Sequence, residues 1–402
     1  MEYINGGVCA PEGFIASGIS CGIRKTGKKD LALIVSQKQC AAAGVYTKNL
    51  VKGAPLIVTQ KNLENGYARA IIANSGNANT CNENGIEIAE GMCELVEKFT
   101  GVPSCDVVVA STGVIGQKLS LDPIEKGMPA LLTGLGRNSD DAATAIMTTD
   151  TVKKEVAIEF ELGGKTVKMG AIAKGSGMIH PDMATMLVFV TTDAAISPKM
   201  LQKALDFSIQ DTFNMISVDR DTSTNDTMVV LANGMAENEE IISEGANFET
   251  FKAALTELSQ YLSRQIAKDG EGATKLLECR VTGAKNKEDA KKIAKSIICS
   301  PLLKCAMFGS DANWGRVLCA IGYAGADVDV SKVAVGFKSD AGEIEVCENG
   351  GGIAFSEEKA KEVLSCDVII IDVTLGDGDA SATAFGCDLT YDYVKINGDY
   401  RS

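Results

Sequence analysis

Three times in this chain a short apolar run meets a loop of glycine and small polar residues: AIIANSGNANT (residues 70–80), DVVVASTGVIG (106–116) and, in the opposite order, KGSGMIHPDMATMLVFVTTDA (174–194). Runs of this length are far short of the roughly 18 apolar residues a membrane helix needs, and they read as buried strands. Between them lie segments of a different period. IEIAEGMCELVEKF (86–99) has helical apolar spacing and stops at Gly101, Asn247 to Lys268 and Lys285 to Ile298 are amphipathic, and Ser197-Pro198 marks a helix start running to about Met215. Glu155 to Leu162 and Lys165 to Ala173 alternate with period 2 around Gly163-Gly164, which predicts a hairpin. Asp30 to Val58 reads as strands broken by turns, Thr185 to Thr192 as the strand after the loop, and VAVGF, GEIEV and DVIIIDVTL as later strands. Strand blocks alternating with helix blocks, rather than strict βαβ units, predict an α+β layered fold.

At 402 residues the chain exceeds what one core usually fills, so a second, smaller unit is expected. A net charge of −14 opposes nucleic-acid phosphates, so no nucleic-acid partner is expected. The N-terminus carries Glu2 and lacks the apolar stretch of a signal peptide, which together with the short apolar runs predicts a cytoplasmic protein without a membrane anchor. Thirteen scattered cysteines, an odd number without a CxxC pair, predict reduced and mostly buried thiols and give no support to a metal site.

The composition restricts chemistry most sharply through one number: a single histidine, His180. Ser-His-Asp, Cys-His and multi-histidine metal sites would all have to use it, and in its polar loop beside Pro181 it reads as a solvated loop residue. The glycine clusters Asn349 to Gly352 and Gly376 to Gly378 lack the GxxxxGK[ST] and GxGxxG contexts of phosphate cradles and read as strand turns. Thr185 opens an apolar strand behind a loop carrying Gly175 and Gly177, with the small Ala184 before it. Most such threonines simply start strands. Were the Ala184-Thr185 bond cut, however, the new α-amine, with an ordinary pKa of about 7.7 to 8.0, would supply a base for the threonine's own hydroxyl, with no histidine needed.

Nine motifs, in order from residue 6 to the C-terminus, carry a resemblance: GGVCAPEGFIASGISCGIRK, ANSGNANTCNENG, ASTGVIG, AIMTTDT, AKGSGMIHPDMATMLVFVTTDA, SVDRDTSTNDT, GEGATKLLE, FGSDANWGR and LGDGDASATAFGCDLTYDYVKINGDYRS. Together they resemble the glutamate N-acetyltransferase, or ornithine acetyltransferase, family of arginine biosynthesis. Small departures are Cys9, the CNENG continuation and Ser402.

The resemblance implies a self-cleaving precursor cut between Ala184 and Thr185 into an α chain, 1–184, and a β chain, 185–402. Its fold would be a layered α/β/β/α sandwich of the N-terminal-nucleophile type with a smaller C-terminal α+β unit. Thr185 would be the nucleophile that carries acetyl from N2-acetylornithine to glutamate, with Thr112 and Gly113 facing the oxyanion. Substrate contacts would come from Thr148, Lys174, Thr185, Glu271, Asn397 and Ser402, with Thr149 able to exchange roles with Thr148. Taken alone, Lys174 and Glu271 would be solvated surface charges. The resemblance implies no metal or organic cofactor and a heterotetramer of two α and two β chains. The residues leave open whether acetyl-coenzyme A is a second donor. Two rivals remain at the level of sequence: a self-cleaving aminopeptidase or amidase that gives the acyl group to water, and a ligand-binding protein in which Thr185 is only a strand residue.

Overall fold

The computed structural model describes residues 1–180 and 186–399; Ala184, Thr185 and Ser402 lie outside the described residues. One long strand organises the first unit. Leu31–Tyr46 spans 16 residues, and its pairing with Tyr67–Asn74 shifts register between Val35 and Cys40. Such a bulge bends a strand and strengthens its twist, letting one strand serve two layers. Its first half pairs with Phe14–Ile19 and Tyr67–Asn74, which in turn pairs with Val107–Ser111. Its second half pairs with Thr227–Ala232, and the sheet continues through Leu187–Thr192, Lys165–Lys174, Lys154–Leu162 and Glu2–Ile4.

The alternation of side chains shows what lies on each face. Ala32, Ile34 and Ala42 of the long strand share a core with Ile71, Ala73, Val108 and Ala110 of one half and with Ile172, Leu187, Phe189, Val229 and Leu231 of the other. The two halves therefore stack face to face. Leu31 and Leu33 point outward to the helices Gly85–Thr100 and Asp122–Thr133, while Ala43 and Val45 meet the helices Pro198–Gln210 and Ala246–Lys268. The order helix, strand, strand, helix is the expected α/β/β/α sandwich. Alanines fill much of the interior, which suits two layers about 10 Å apart. Phe189 is a large fully buried side chain there, and truncating one to alanine typically costs roughly 3 to 5 kcal/mol.

The second unit is a seven-stranded sheet centred on Val368–Thr374, Leu276–Ala284 and Ala380–Cys387. The helices Lys287–Ile298, Pro301–Phe308, Trp314–Gly322 and Glu357–Leu364 share its core. Leu276, Phe385 and Cys387 join the core of the first unit instead, so the two units pack as continuous hydrophobic matter.

The hairpin turn at Gly163 and Gly164 has φ of 59° and 80°, the left-handed pair such a two-residue turn demands. Asn349, Gly350 and Gly376 also have positive φ between strands, so each glycine cluster contains a turn, although Gly351–Gly352 of the first is itself a short strand pairing with Cys347 and Glu348. Two expectations need correction. APLIV is not a strand: Ala54–Asn62 is a helix with Pro55 in its first turn, where a missing N–H costs nothing. The helix after Ser197 ends at Gln210, followed by a separate 3-10 turn Phe213–Met215, and Ser197 makes no side-chain cap bond. All thirteen cysteines are free, seven of them buried. Burial pushes the Cys9 thiol up to about 11 and Cys40 to about 12, so neither is a nucleophile at neutral pH. Among the described residues no helix is long and apolar enough to cross a membrane, and no cluster of His, Cys, Asp or Glu is arranged to hold a metal ion.

Candidate active site

The site lies where loops leave both β layers. Val107–Ser111 runs buried into Thr112 and Gly113. The Thr112 amide donates to the Asn74 carbonyl at 3.0 Å, so what Thr112 can offer a developing negative charge is its hydroxyl, which has no partner among the described residues. Gly113 has φ of 130°, and a Cβ there would stand 2.4 Å from the Gly76 carbonyl carbon and 2.6 Å from the Asn77 nitrogen. Only glycine fits a loop pressed that closely on its neighbour.

Lys174 ends the strand Lys165–Lys174. At 8% exposure it is buried, not a solvated surface charge, and its ammonium has no hydrogen-bond acceptor among the described residues. A buried cation in that state suits an anionic substrate group. Lys174 and Thr112 line one narrow cleft with Met186, the residue that follows Thr185 in the chain, and with Asn225.

Below the cleft lies a charged centre. Asp150 accepts from the Gly175 amide at 2.7 Å, from the Thr148 amide at 3.0 Å and from Lys154 Nζ at 2.7 Å. Burial pushes the Asp150 carboxyl up, but the Lys174 and Lys154 charges and these hydrogen bonds outweigh it and hold the group at about 2. Lys154 is itself fully buried and reaches Asp269 Oδ2 at 2.6 Å. Asp269 ties down Thr151 and Val152, and its carbonyl accepts from Ser176 Oγ at 2.7 Å. The Glu271 amide then donates to the Ser176 carbonyl at 3.0 Å. One continuous network thus fixes Thr148, the 174–177 turn and Glu271 together.

Glu271 is also buried at 8% exposure, and its carboxylate fills the space beside Gly177, where a Cβ would stand 2.3 Å from it. Asn397, on the helix Tyr391–Asp399, donates to Glu271 Oε2 at 2.8 Å. Thr148 and Thr149 both line a cavity of about 600 Å³ with Gly113, Arg24 and Asp399. Arg24 donates to the Met147 carbonyl at 2.9 Å and to that of Thr148 at 3.3 Å. Thr112, Gly113, Thr148, Lys174, Glu271 and Asn397 therefore converge on one region. His180 is partly buried rather than solvated, with Nδ1 3.1 Å from Ser217 Oγ.

Sequence reasoning missed Asp150, Lys154, Asp269 and Asn225. The i,i+4 pair Asp150 and Lys154 was a visible signal within TTDTVKK. Asn225 had none: its Nδ2 donates to the carbonyls of Ala78 at 2.6 Å and Ser111 at 2.9 Å, while Oδ1 accepts from Thr80 and Thr224.

Fold and site together define an α+β protein of the layered α/β/β/α type whose centre brings together the buried Lys174, the buried Glu271 and the Thr112 hydroxyl. The ArgJ family model matches residues 15–402. The chain is 51% identical over 391 residues to the arginine biosynthesis bifunctional protein ArgJ 1 of Clostridium acetobutylicum, covering 97% of this chain and 96% of that protein. It is 50% identical over 404 residues to the arginine biosynthesis bifunctional protein ArgJ of Caldanaerobacter subterraneus subsp. tengcongensis, covering both in full. The crystal structure of the arginine biosynthesis bifunctional protein ArgJ from Bacillus halodurans aligns with a TM-score of 0.50 at 47% identity, covering 53% of this chain and 98% of that one. The chain belongs to the ArgJ family.

Proposed function

We propose that this chain cuts itself between Ala184 and Thr185 and that the freed threonine moves acetyl from N2-acetyl-L-ornithine to L-glutamate. The observation that carries the reading is the narrow cleft in which the Thr112 hydroxyl, the buried Lys174 and Met186, one residue past Thr185, come together. Family membership supports it, since relatives of about half identity are named for arginine biosynthesis. The Bacillus halodurans chain, almost all of which matches only 53% of this one, is the size expected of a separated β chain of residues 185–402.

In this mechanism the Thr185 α-amine takes the proton as the hydroxyl oxygen attacks the acetyl carbonyl. The oxyanion meets the Thr112 hydroxyl and the Gly113 amide. Collapse breaks the carbon–nitrogen bond, the proton passes to the leaving nitrogen, and ornithine departs from an acetyl-threonine ester. Glutamate then attacks that ester through its α-amine. Lys174 receives the α-carboxylate of either amino acid. Glu271, oriented by Asn397, receives the δ-ammonium of ornithine. The ordering network beneath holds these groups before substrate arrives, which is where electrostatic catalysis gains most. Ser402 is a further substrate contact, and two α/β pairs assemble into a heterotetramer in the cytoplasm.

Intact-mass measurement of the purified protein with N2-acetylornithine tests the reading. The expected result is a β chain beginning at Thr185 that gains one acetyl group, and neither event in Thr185→Ala. An uncut, fully active protein would overturn it. Ornithine release that depends on glutamate, rather than proceeding with water alone, separates the transferase from an aminopeptidase or amidase.

A further inference from the structure

On the acetyl-transfer reading, one nucleophile serves two amino acids whose tails carry opposite charge, the δ-ammonium of ornithine and the γ-carboxylate of glutamate. Lys174 takes the α-carboxylate that both share, and Glu271 suits only the ammonium. Turning the glutamate tail toward Glu271 would set two carboxylates together, which disfavours the charged form of each. The acceptor needs a second cation.

Arg24 is placed to be that cation. It lies in the wall of the cavity of about 600 Å³ that also takes in Gly113 and Thr148. This cavity and the narrow cleft meet at one dipeptide, Thr112 lining the cleft and Gly113 the cavity. Glu271 rests against Gly177, a wall residue of the cleft, so the carboxylate and the guanidinium belong to different sides of the oxyanion pair. Packing ties Arg24 to that pair. Gly113 presses on the backbone of Gly76, and a Cβ on Gly76 would in turn stand 2.6 Å from Arg24 Cγ. The arginine stem therefore crosses Gly76 a single backbone contact away from Gly113.

Both ends of the residue are held. Its amide donates to Asp30 Oδ2 at 2.8 Å, and the fully buried Asp30 also accepts from the amides of Cys21 at 2.7 Å and Gly22 at 3.2 Å. Its guanidinium donates to the Met147 and Thr148 carbonyls, which are neutral. Among the described residues no carboxylate pairs with Arg24, so its charge and its remaining N–H groups face the cavity uncompensated. A planar fork already ordered by two carbonyls matches a carboxylate and loses little more side-chain freedom on binding one. Lys25 adds an exposed second cation to the same wall. The one acid among the described lining residues, Asp399, sits at the exposed end of the helix Tyr391–Asp399.

We propose that Arg24 receives the γ-carboxylate of the incoming glutamate and so selects the acetyl acceptor. The ornithine tail turns to Glu271 and the glutamate tail to Arg24, while both α-carboxylates stay on Lys174. Neither substrate then has to bury its tail against a like charge.

Discharge of the acetylated β chain to glutamate and to glutamine, acceptors of nearly equal shape, tests this. Intact mass after N2-acetylornithine first shows whether the acetyl-enzyme forms. If it does not, the acetyl-transfer reading falls and the role of Arg24 with it; if it does, the acceptor ratio judges Arg24 alone. The wild type should favour glutamate over glutamine by about tenfold or more in discharge rate per acceptor concentration, the range of one charge-assisted hydrogen bond. Arg24→Gln should bring that ratio close to one. Any loosening of the Thr148 loop would slow both acceptors alike and leave the ratio untouched. Arg24→Lys, with the charge but without the fork, should keep most of the preference. Lys25→Glu, at an exposed position without a side-chain bond among the described residues, should lower the ratio several-fold while the carbonyl clamp on Arg24 stays in place. A wild-type ratio near one, or an unchanged ratio in a folded Arg24→Gln, overturns the assignment; should that variant not fold, an unchanged ratio in Lys25→Glu does so.

Discussion

Asn397 hands its side-chain amide to Glu271 at 2.8 Å, although 126 residues separate them in the chain. The bond joins the C-terminal helix to the loop after Ala246–Lys268, and the carboxylate it orients rests against Gly177. Gly177→Ala should therefore act through Glu271. The new methyl would displace a flexible side-chain end rather than backbone, so the thermal midpoint should hardly move. KM for N2-acetylornithine should rise by roughly tenfold, the scale of one lost charge-assisted contact. Steady-state kinetics beside a melting curve checks both halves.

Thr112→Ala should remove a hydroxyl and nothing else, because the amide, not the side chain, holds the loop to Asn74. Loss of the proposed oxyanion donor predicts a fall in kcat of about 10² to 10³, with Thr112→Ser retaining most of the rate. Gly113→Ala differs in kind: its methyl meets backbone at 2.4 Å and demands a strained φ, so it should cost both activity and stability. A rate assay on the acetyl-threonine step paired with urea unfolding distinguishes the two variants.

The buried Asp150, Lys154 and Asp269 centre makes stability depend on acid. The Asp150 carboxyl titrates at about 2 when folded against about 3.9 unfolded, so the unfolded chain binds the proton first as pH falls. The contribution is present in full above pH 4 or so and is lost between there and pH 2, worth roughly 2 to 3 kcal/mol on the linkage relation. Lys154→Met strands two buried carboxylates and should cost roughly 3 to 5 kcal/mol at neutral pH. Its urea midpoint should recover partly as pH falls toward 4, a range over which the Asp150 contribution of the wild type is still held.

That centre also marks how far the sequence could be read. Short strands ending in small polar loops, the Gly163-Gly164 hairpin and the amphipathic helices are local patterns, and the layered fold follows them. Lys174 and Glu271 looked like surface charges because burial is a property of what packs from elsewhere: Ser176 meets Asp269 across 93 residues and Lys154 meets it across 115. Asp150 was half visible, paired with Lys154 four residues on, but the second carboxylate on Lys154, Asp269, came from a distant helix end. APLIV failed for a local reason. A β-branched apolar run of that length fits either period, and only Pro55, two residues after Gly53, favoured the helix.

Asn225 offers the sharpest separation of positioning from chemistry. Its amide nitrogen spans the carbonyls of Ala78 and Ser111, fixing the strand end that carries Thr112, and its oxygen receives the Thr80 and Thr224 hydroxyls. Asn225→Ala takes the side-chain donor from the Ser111 carbonyl, at roughly 1 to 3 kcal/mol, leaves the Ala78 carbonyl only the Thr80 hydroxyl at 3.2 Å, and frees the loop that carries Thr112 to drift. Asn225→Asp keeps the shape but turns an oxygen toward those same carbonyls, so it should be the more damaging despite being the smaller change. Both should lower kcat far more than they raise KM, since Lys174 and Glu271 are held by the other network. If the aspartate variant instead kept wild-type kcat, the hydrogen-bond directions assigned to Asn225 would be reversed and its link to Thr112 lost.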